Sequence, residues 1–277
     1  MKGTLFYKMT GSGNDFVMLD GRATKPDRWS PRRVRALCDR RNGIGADGLV
    51  ILTPGTPGTV RMAYWNSDGS HGAMCGNAAL CSGRLSVELE MVPPGEFCLL
   101  TDAGVVRVIA RAYHDEAEIS LPDVDLPREV DIEPEPGEHW LALGTVGVPH
   151  LIVRVDDVEQ ADVLGRGRCL RSDPRVGPAG ANVNFIGPNG DGKSPWLIRT
   201  FERGVESETL ACGTGTVAAA LALSSRAEAA LPTRFRSRGG PELSVRGRLE
   251  GSRASGIWLA GQGKLLFRGV WEDEEAP

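Results

Sequence analysis

Short runs rich in apolar residues, separated by clusters of Gly, Pro and Asp, make up most of this chain. That pattern predicts many short strands and few helices. Strands are expected at 5–9, 16–20, 49–52, 60–65, 105–110, 117–121, 140–146, 151–155, 182–186, 196–202, 233–237, 243–249, 257–260 and 264–268. A further strand-like run holds Cys98, Leu99 and Leu100. Three helices stand out among them. Ser30-Pro31 supplies an N-cap followed by proline at the first helical position, and opens a helix to about residue 40. The other two are rich in alanine. One runs from 78 to about 90 with Leu80, Leu85 and Leu89 among small residues. The other, 217 to about 230, is nearly all Ala and Leu, apolar enough to be a buried central helix.

Each Ala-rich run follows a Cys-Gly step that ends a strand-like run. Tyr64-Trp65-Asn66 through Met74-Cys75-Gly76-Asn77 aligns with Phe201-Glu202-Arg203 through Ala211-Cys212-Gly213-Thr214, with Asn66 and Arg203 each nine positions before its cysteine. A Pro-rich, acidic stretch at 121–137, containing Pro122, Pro127, Pro134 and Pro136, reads as a linker between the halves. Each half then holds many strands and one central helix entered through Cys-Gly, the pattern of a tandem duplication with a cleft between the copies. The acidic end at 272–275 reads as a solvated tail without chemistry.

Composition narrows the function. A length of 277 residues suits two domains of roughly 130 residues each, and 41% hydrophobic with 25% charged residues is ordinary for a globular protein. A net charge of −4 offers no basic surface for a phosphate backbone, so nucleic acid is excluded as an expected partner. Residues 1–20 carry glycines and polar residues where a signal peptide has an apolar run, and no stretch approaches about 18 continuous apolar residues. The chain therefore reads as cytoplasmic, with no membrane association. In a reducing cytosol its six cysteines are expected as thiols, and no Cys-x-x-Cys spacing offers a zinc site. Cys38, Cys81, Cys98 and Cys169 are expected to be packing residues.

Cys75 and Cys212 differ from those four because each opens a helix. A thiol acts as base or nucleophile only as thiolate, and a helix N-terminus lowers its pKa. The same helix starts expose backbone N–H groups at Gly76-Asn77 and at Gly213-Thr214-Gly215, where glycine admits a ligand close to the main chain. Such termini suit a carboxylate. Removing the α-proton of an amino acid requires that its carboxylate spread the developing enediolate charge onto preorganised donors. If one cysteine takes the proton as thiolate and the other returns one from the opposite face, the carbon inverts with no cofactor. A hydrolase or transferase needs one nucleophile and an adjacent base, so it explains the duplication less well. A non-catalytic binding protein on the duplicated fold remains a third reading.

Several motifs extend the match: Lys8-Met9-Thr10-Gly11-Ser12-Gly13-Asn14-Asp15-Phe16, Gly43-Ile44-Gly45-Ala46-Asp47-Gly48, Asn66-Ser67-Asp68-Gly69-Ser70, Cys75-Gly76-Asn77, Gly147-Val148-Pro149-His150, Ala181-Asn182-Val183-Asn184-Phe185, Glu202-Arg203-Gly204 and Ala211-Cys212-Gly213-Thr214-Gly215. With them the sequence resembles the diaminopimelate epimerases from Phe6 to about Val270, and more weakly the proline racemases, which lack the Gly-Asn-Asp-Phe element. The resemblance implies an α/β (α+β) fold of two pseudo-symmetric domains, mostly antiparallel strands each wrapped around a central helix. The domains would be 1–121, with 265–277 returning to it, and 122–264. It implies a pyridoxal-phosphate-independent epimerase with no cofactor and no metal, acting on a small amino acid, often as a homodimer. Cys75 and Cys212 would be the acid/base pair, assisted by His150 and Glu202. Gly76, Asn77, Gly213 and Thr214 would bind the reacting carboxylate, and Asn14, Asn66, Asn182 and Arg203 the distal end. Arg203 can fork onto a carboxylate, while asparagine amides both donate and accept. Taken alone, Asn14 and Asn66 also fit turn residues, His150 a loop histidine, and Arg203 a surface ion pair with Glu202. Four positions depart from the family pattern. Val148 stands where it usually has Asn, Thr10 for His, Ala78 for Gly and Leu80 for Arg. A racemase of another amino acid, such as histidine or a proline-like substrate, is the alternative those departures leave open.

Overall fold

The structure is a computed structural model describing residues 3–190 and 195–272. It divides into two compact units, Met1–Ser120 with Ala260–Pro277, and Leu121–Leu259. The first contains β1 (Thr4–Gly11), β2 (Asn14–Asp20), α1 (Pro31–Cys38), β3 (Gly48–Pro54), β4 (Thr59–Asn66), β5 (His71–Gly72), α2 (Gly76–Glu88), β6 (Gly95–Thr101), β7 (Gly104–Ala110) and β8 (Glu116–Ser120). The second holds β9 (Val124–Asp125), β10 (Arg128–Glu129), β11 (Glu138–Val146), β12 (Val148–Val155), α3 (Gly165–Arg171), β13 (Asn182–Gly187), β14 (Trp196–Glu202), β15 (Ser207–Thr209), α4 (Gly213–Ser225), β16 (Thr233–Ser237), β17 (Glu242–Glu250) and most of β18 (Arg253–Gln262). β19 (Lys264–Trp271) returns to the first unit and pairs antiparallel with β1. Of the acidic end, residues 273–275 lie outside the described residues.

Strand pairing carries the duplication. In the first unit, β1–β2 is antiparallel, β2–β3 parallel, β3–β4 and β4–β5 antiparallel, β4–β6 parallel and β6–β7 antiparallel. The second repeats that order with β11–β12, β12–β13, β13–β14, β14–β15, β14–β16 and β16–β17. Parallel neighbours need a crossover, and helices provide it: α1 and α3 precede β3 and β13, while α2 and α4 precede β6 and β16. The fold is thus mixed α+β, mostly strands with few helices. Within each unit the second helix, the one entered through Cys-Gly, is the central one. α2 is buried continuously from Asn77 to Val87. α4 buries Gly213 and everything from Gly215 to Leu223, because Ala and Leu let strands approach from all sides. Phe16, Val17, Leu49 and Ile51 are fully covered in the first unit, and Leu151, Val183, Phe185 and Phe201 in the second.

Five expectations are corrected. The stretch 121–137 is no linker: β9 pairs with β18, β10 with β11, and Ile132 is buried in the core of the second unit. The helix expected to reach about 230 stops at Ser225, since Ala227 turns left-handed at φ 58° and Glu228 accepts from Trp140 Nε1 at 2.6 Å. Cys169 does not pack inward, because α3, absent from the expected helices, buries Gly167 and Leu170 and leaves Cys169 exposed. Cys98 is only half-buried on β6, where Phe97 and Leu99 face the core. Finally, Asn66 does not correspond to Arg203. Leu49 pairs with Trp65 and Val183 with Phe201, so Asn66 and Glu202, the last residues of β4 and β14, are equivalent. The loop from β14 to Cys212 is one residue longer, which shifts an alignment counted back from the cysteines.

Truncating a buried isoleucine typically costs 2–5 kcal/mol. Ile132→Ala should therefore lower the unfolding free energy by about 2 kcal/mol or more in urea titration. A change below about 0.5 kcal/mol would mean that the segment is a linker after all.

Candidate active site

Both cysteines cap their helices in extended backbone, Cys75 at φ −137° before α2 and Cys212 at φ −128° before α4. Neither thiol makes a capping hydrogen bond to a backbone N–H of its helix. The leading N–H groups, at Gly76-Asn77 and Gly213-Thr214, have no acceptor within their helices. The positive end of each helix dipole therefore sits beside a half-buried thiol. Cys212 Sγ lies 3.7 Å from Thr214 Oγ1. Cys38 and Cys81 are less suited to ionise: burial pushes Cys38 up to about 11 and raises Cys81 further.

In the first unit a charged network holds the asparagines at α2. Arg40 donates to Asp15 Oδ1 at 2.6 Å and to Asp47 Oδ1 at 2.9 Å, while Lys8 binds Asp15 Oδ2 at 2.6 Å and the Gly45 carbonyl. Asp47 Oδ2 then accepts from Asn14 Nδ2 at 2.9 Å, and Asn14 Oδ1 from Asn77 Nδ2 at 2.6 Å. Burial alone would raise Asp15, but hydrogen bonds from Arg40 and Lys8 hold it at about 2. Asn14 and Asn77 are thus brought together. Asn66 is not part of this chain: its Oδ1 accepts from Tyr64 at 2.7 Å and its Nδ2 donates to Ser70 Oγ at 2.9 Å, closing the turn after β4. Lys8, Asp15, Arg40 and Asp47 had been given no role. Asp15 and Asp47 lie inside two of the motifs, and their fixed places beside Asn14 and Gly48 were the available signal.

In the second unit, His150 and Asn182 are register partners on β12 and β13. Asn182 Oδ1 accepts from the Arg203 backbone N–H at 2.8 Å, and Arg203 Nη1 donates to the Ala179 carbonyl at 3.1 Å. Glu202 is largely buried, which raises its pKa against the lowering effect of Thr209. His150 is fully enclosed and burial pushes its pKa down to about 3, with the Val146 backbone opposing, so the ring is neutral. His150 Nε2, Asn77 Oδ1 and Ser12 Oγ are buried without a hydrogen-bond partner. Native proteins rarely leave such groups unmatched unless a ligand or water completes them. Among the described residues no cluster of three or more His, Cys, Asp or Glu could hold a metal ion, and no helix is long and apolar enough to cross a membrane. The departing residues are accommodated: Leu80 and Ala78 are fully buried in α2, Thr10 Oγ1 donates to the Asn14 carbonyl at 3.0 Å, and half-buried Val148 opens β12.

The sequence and the fold both have relatives among known proteins. The family model for diaminopimelate epimerase matches residues 6–120 and 143–246. A diaminopimelate epimerase of Gemmatimonas aurantiaca is 42% identical over 277 residues, covering 95% of this chain and 98% of that one. Among solved structures, a phenazine biosynthesis protein of the PhzF family from Bacillus anthracis superposes with a TM-score of 0.74 at 13% identity, covering 98% and 99% of the two chains. A probable proline racemase from Agrobacterium radiobacter, with bound carbonate, gives 0.68 at 18% identity over 99% and 94%. At those identities the two structures establish the fold alone.

The folded pKa of His150 lies below the ordinary 6.5, so the unfolded chain binds a proton that the folded one does not as pH falls from about 6.5 towards 3. Stability should drop over that window by up to about 1.4 kcal/mol per pH unit from this group. The measurement is urea unfolding of the wild type and His150→Gln at pH 4, 5 and 6. The variant should show the shallower slope, whereas parallel slopes would show that His150 ionises freely in the folded state.

Proposed function

The chain belongs to the diaminopimelate epimerase family and is an isomerase, and we propose from that premise how it works. It inverts one α-carbon of LL-diaminopimelate to give the meso isomer, a step that serves lysine and peptidoglycan precursor synthesis. One cysteine, as thiolate, takes the α-proton, leaving the electron pair delocalised into the carboxylate. The other, as thiol, delivers a proton to the opposite face, so that the bond formed is a new C–H and the two thiols end with exchanged protonation. The observation that carries this reading is the matched pair of helix starts, each with an extended cysteine cap and amides without an internal acceptor. Those amides supply donors where enediolate charge develops.

Gly76, Asn77, Gly213 and Thr214 bind the reacting carboxylate. The neutral His150 and the raised carboxyl of Glu202 assist at the cysteines. Asn14, Asn66, Asn182 and Arg203 hold the distal amino acid group, with Asn14 positioned by Asp47. No cofactor or metal is required. One observation favours a second reading, racemisation of another amino acid such as histidine or a proline-like one. Val148 presents an aliphatic side chain where the family pattern has an amide. We place the protein in the cytoplasm, without nucleic-acid or membrane partners, and as a homodimer. Support for pairing comes from half-exposed Leu5 and Val270, register partners on one face of the β1–β19 pair, and from half-exposed Leu266 and Phe267 further along β19.

Epimerisation should fall by at least about 10³-fold in both Cys75→Ala and Cys212→Ala, followed by chromatographic resolution of LL- and meso-diaminopimelate, with histidine and proline as parallel substrates. Retention of turnover in either variant would indicate single-cysteine chemistry. Turnover of histidine or proline but not diaminopimelate would establish the second reading. Sedimentation should give about twice the 29.6 kDa chain mass, falling to one in Phe267→Glu. A wild-type monomer would refute the dimer.

A further inference from the structure

Thr209 closes β15 three residues before Cys212, and the functional reading gives it no role. Thr200 on β14 is its register partner, and paired residues of neighbouring strands send their side chains to the same face of a sheet. Glu202, two residues beyond Thr200, shares that face. It stands diagonally across from Thr209, a separation that a long side chain spans. Asn184 on β13, which pairs with Thr200, lies on the same face. The start of α4 packs there too: a Cβ added at Gly215 would stand 2.2 Å from Asn184 Oδ1 and 3.3 Å from Cys212 Sγ. Thr209, Glu202 and the helix turn that carries the thiol are therefore on one side of the sheet.

The other side holds β15 in place. Glu208 accepts from Arg199 Nε at 2.7 Å and Nη2 at 2.8 Å, and Arg199 Nη1 donates to the carbonyls of Val158 at 3.0 Å and Glu159 at 3.2 Å. A two-pronged pair of this kind fixes orientation as well as contact. Thr209 Oγ1 is thus held at a set place, where it is buried and no hydrogen bond completes it. Thr200 cannot serve as its donor, since Thr200 Oγ1 is already given to Asn184 Oδ1 at 3.0 Å. The carboxyl beside it is that of Glu202, which the threonine hydroxyl lowers against the rise caused by burial. Other ionisable groups of this unit near Glu202 are engaged elsewhere or uncharged. Arg203 gives its guanidinium to the Ala179 carbonyl, Glu206 pairs with Arg171 at 2.8 Å, and His150 is neutral; Cys212 remains as the titratable neighbour at the helix start. A hydroxyl facing a carboxyl bonds more strongly to the ionised form than to the protonated one.

We infer that Thr209 is a positioning residue for Glu202, donating its hydroxyl hydrogen to the carboxylate and holding that group on the face where α4 and Cys212 begin. Its effect on turnover rests on the epimerase reading, while the hydrogen bond does not.

With glutamate labelled at its side-chain carboxyl by carbon-13, comparison with Glu202→Gln identifies the Glu202 signal, which reports ionisation directly. In Thr209→Val, close in shape, its midpoint should move to higher pH than in the wild type, because the ionised form loses its donor. Thr209→Ser should bring it back. Coincident midpoints in wild type and Thr209→Val would overturn the hydrogen bond, with or without catalytic activity. At pH 7, kcat should fall on the order of 10-fold in Thr209→Val and recover to within about threefold in Thr209→Ser, with KM within about twofold throughout. A shifted midpoint with unchanged kcat would overturn the positioning role and leave the hydrogen bond intact. If Thr209→Val does not fold, Thr209→Ala supplies the same two readings, with the same outcomes deciding.

Discussion

A helix that begins inside a protein must leave its first amides to something other than water, and that constraint organises this molecule twice. α2 and α4 are buried almost along their length, so their N-termini lie where water satisfies them poorly. Neither is capped by the side chain before it, since cysteine is a weak acceptor compared with Ser, Asp or Asn. What would be a defect in a structural helix becomes a pair of anion-seeking donors, each next to a thiol whose ionised form the helix dipole favours. The strands around each helix, and the small residues Gly, Ala and Ser that line it, serve to hold it in that enclosed position.

The two units solve the surrounding problem differently. In the first, a chain of charges runs from Arg40 and Lys8 through Asp15 and Asp47 to Asn14 and Asn77, so the amides near Cys75 are oriented by ion pairs. In the second, the network is neutral: Thr200, Asn184 and His150 hydrogen-bond in a place closed to solvent, with Glu202 at the end of β14 raised by burial. Equal folds with unequal electrostatics leave the two copies free to take different tasks. The equivalence of Asn66 with Glu202 makes the contrast direct, for the same strand end carries an amide in one unit and a carboxyl in the other.

How much of this was legible in the chain follows from what each signal depends on. Short apolar runs bounded by Gly, Pro and Asp recovered the long strands, several of which, such as β2, β3 and β13, are buried on both faces, and the Cys-Gly steps exposed both central helices because their composition is extreme. The short strands β9 and β10 escaped since two-residue pairings are decided by β18 and β11, far away in sequence. α3 escaped for a similar reason: Gly165 and Gly167 disfavour helix locally, and it forms where Gly167 lets the backbone approach Phe201. Among site residues, the cysteines, His150 and Arg203 were visible as motifs. Asp15, Asp47 and Asn184 were within those motifs, yet their tasks depend on which neighbours the sheet register brings to them.

The central proposal is that two cysteines act on one carbon, one as thiolate removing a proton and the other as thiol returning a different one. Its most direct test is conversion of LL-diaminopimelate in heavy water, stopped at low turnover, with mass spectrometry of the separated isomers. The account predicts meso product carrying one deuterium at the inverted carbon while unconverted substrate remains unlabelled, because the proton removed and the proton returned come from different groups. Product that retains the substrate's own proton, or that forms without any label, would contradict it.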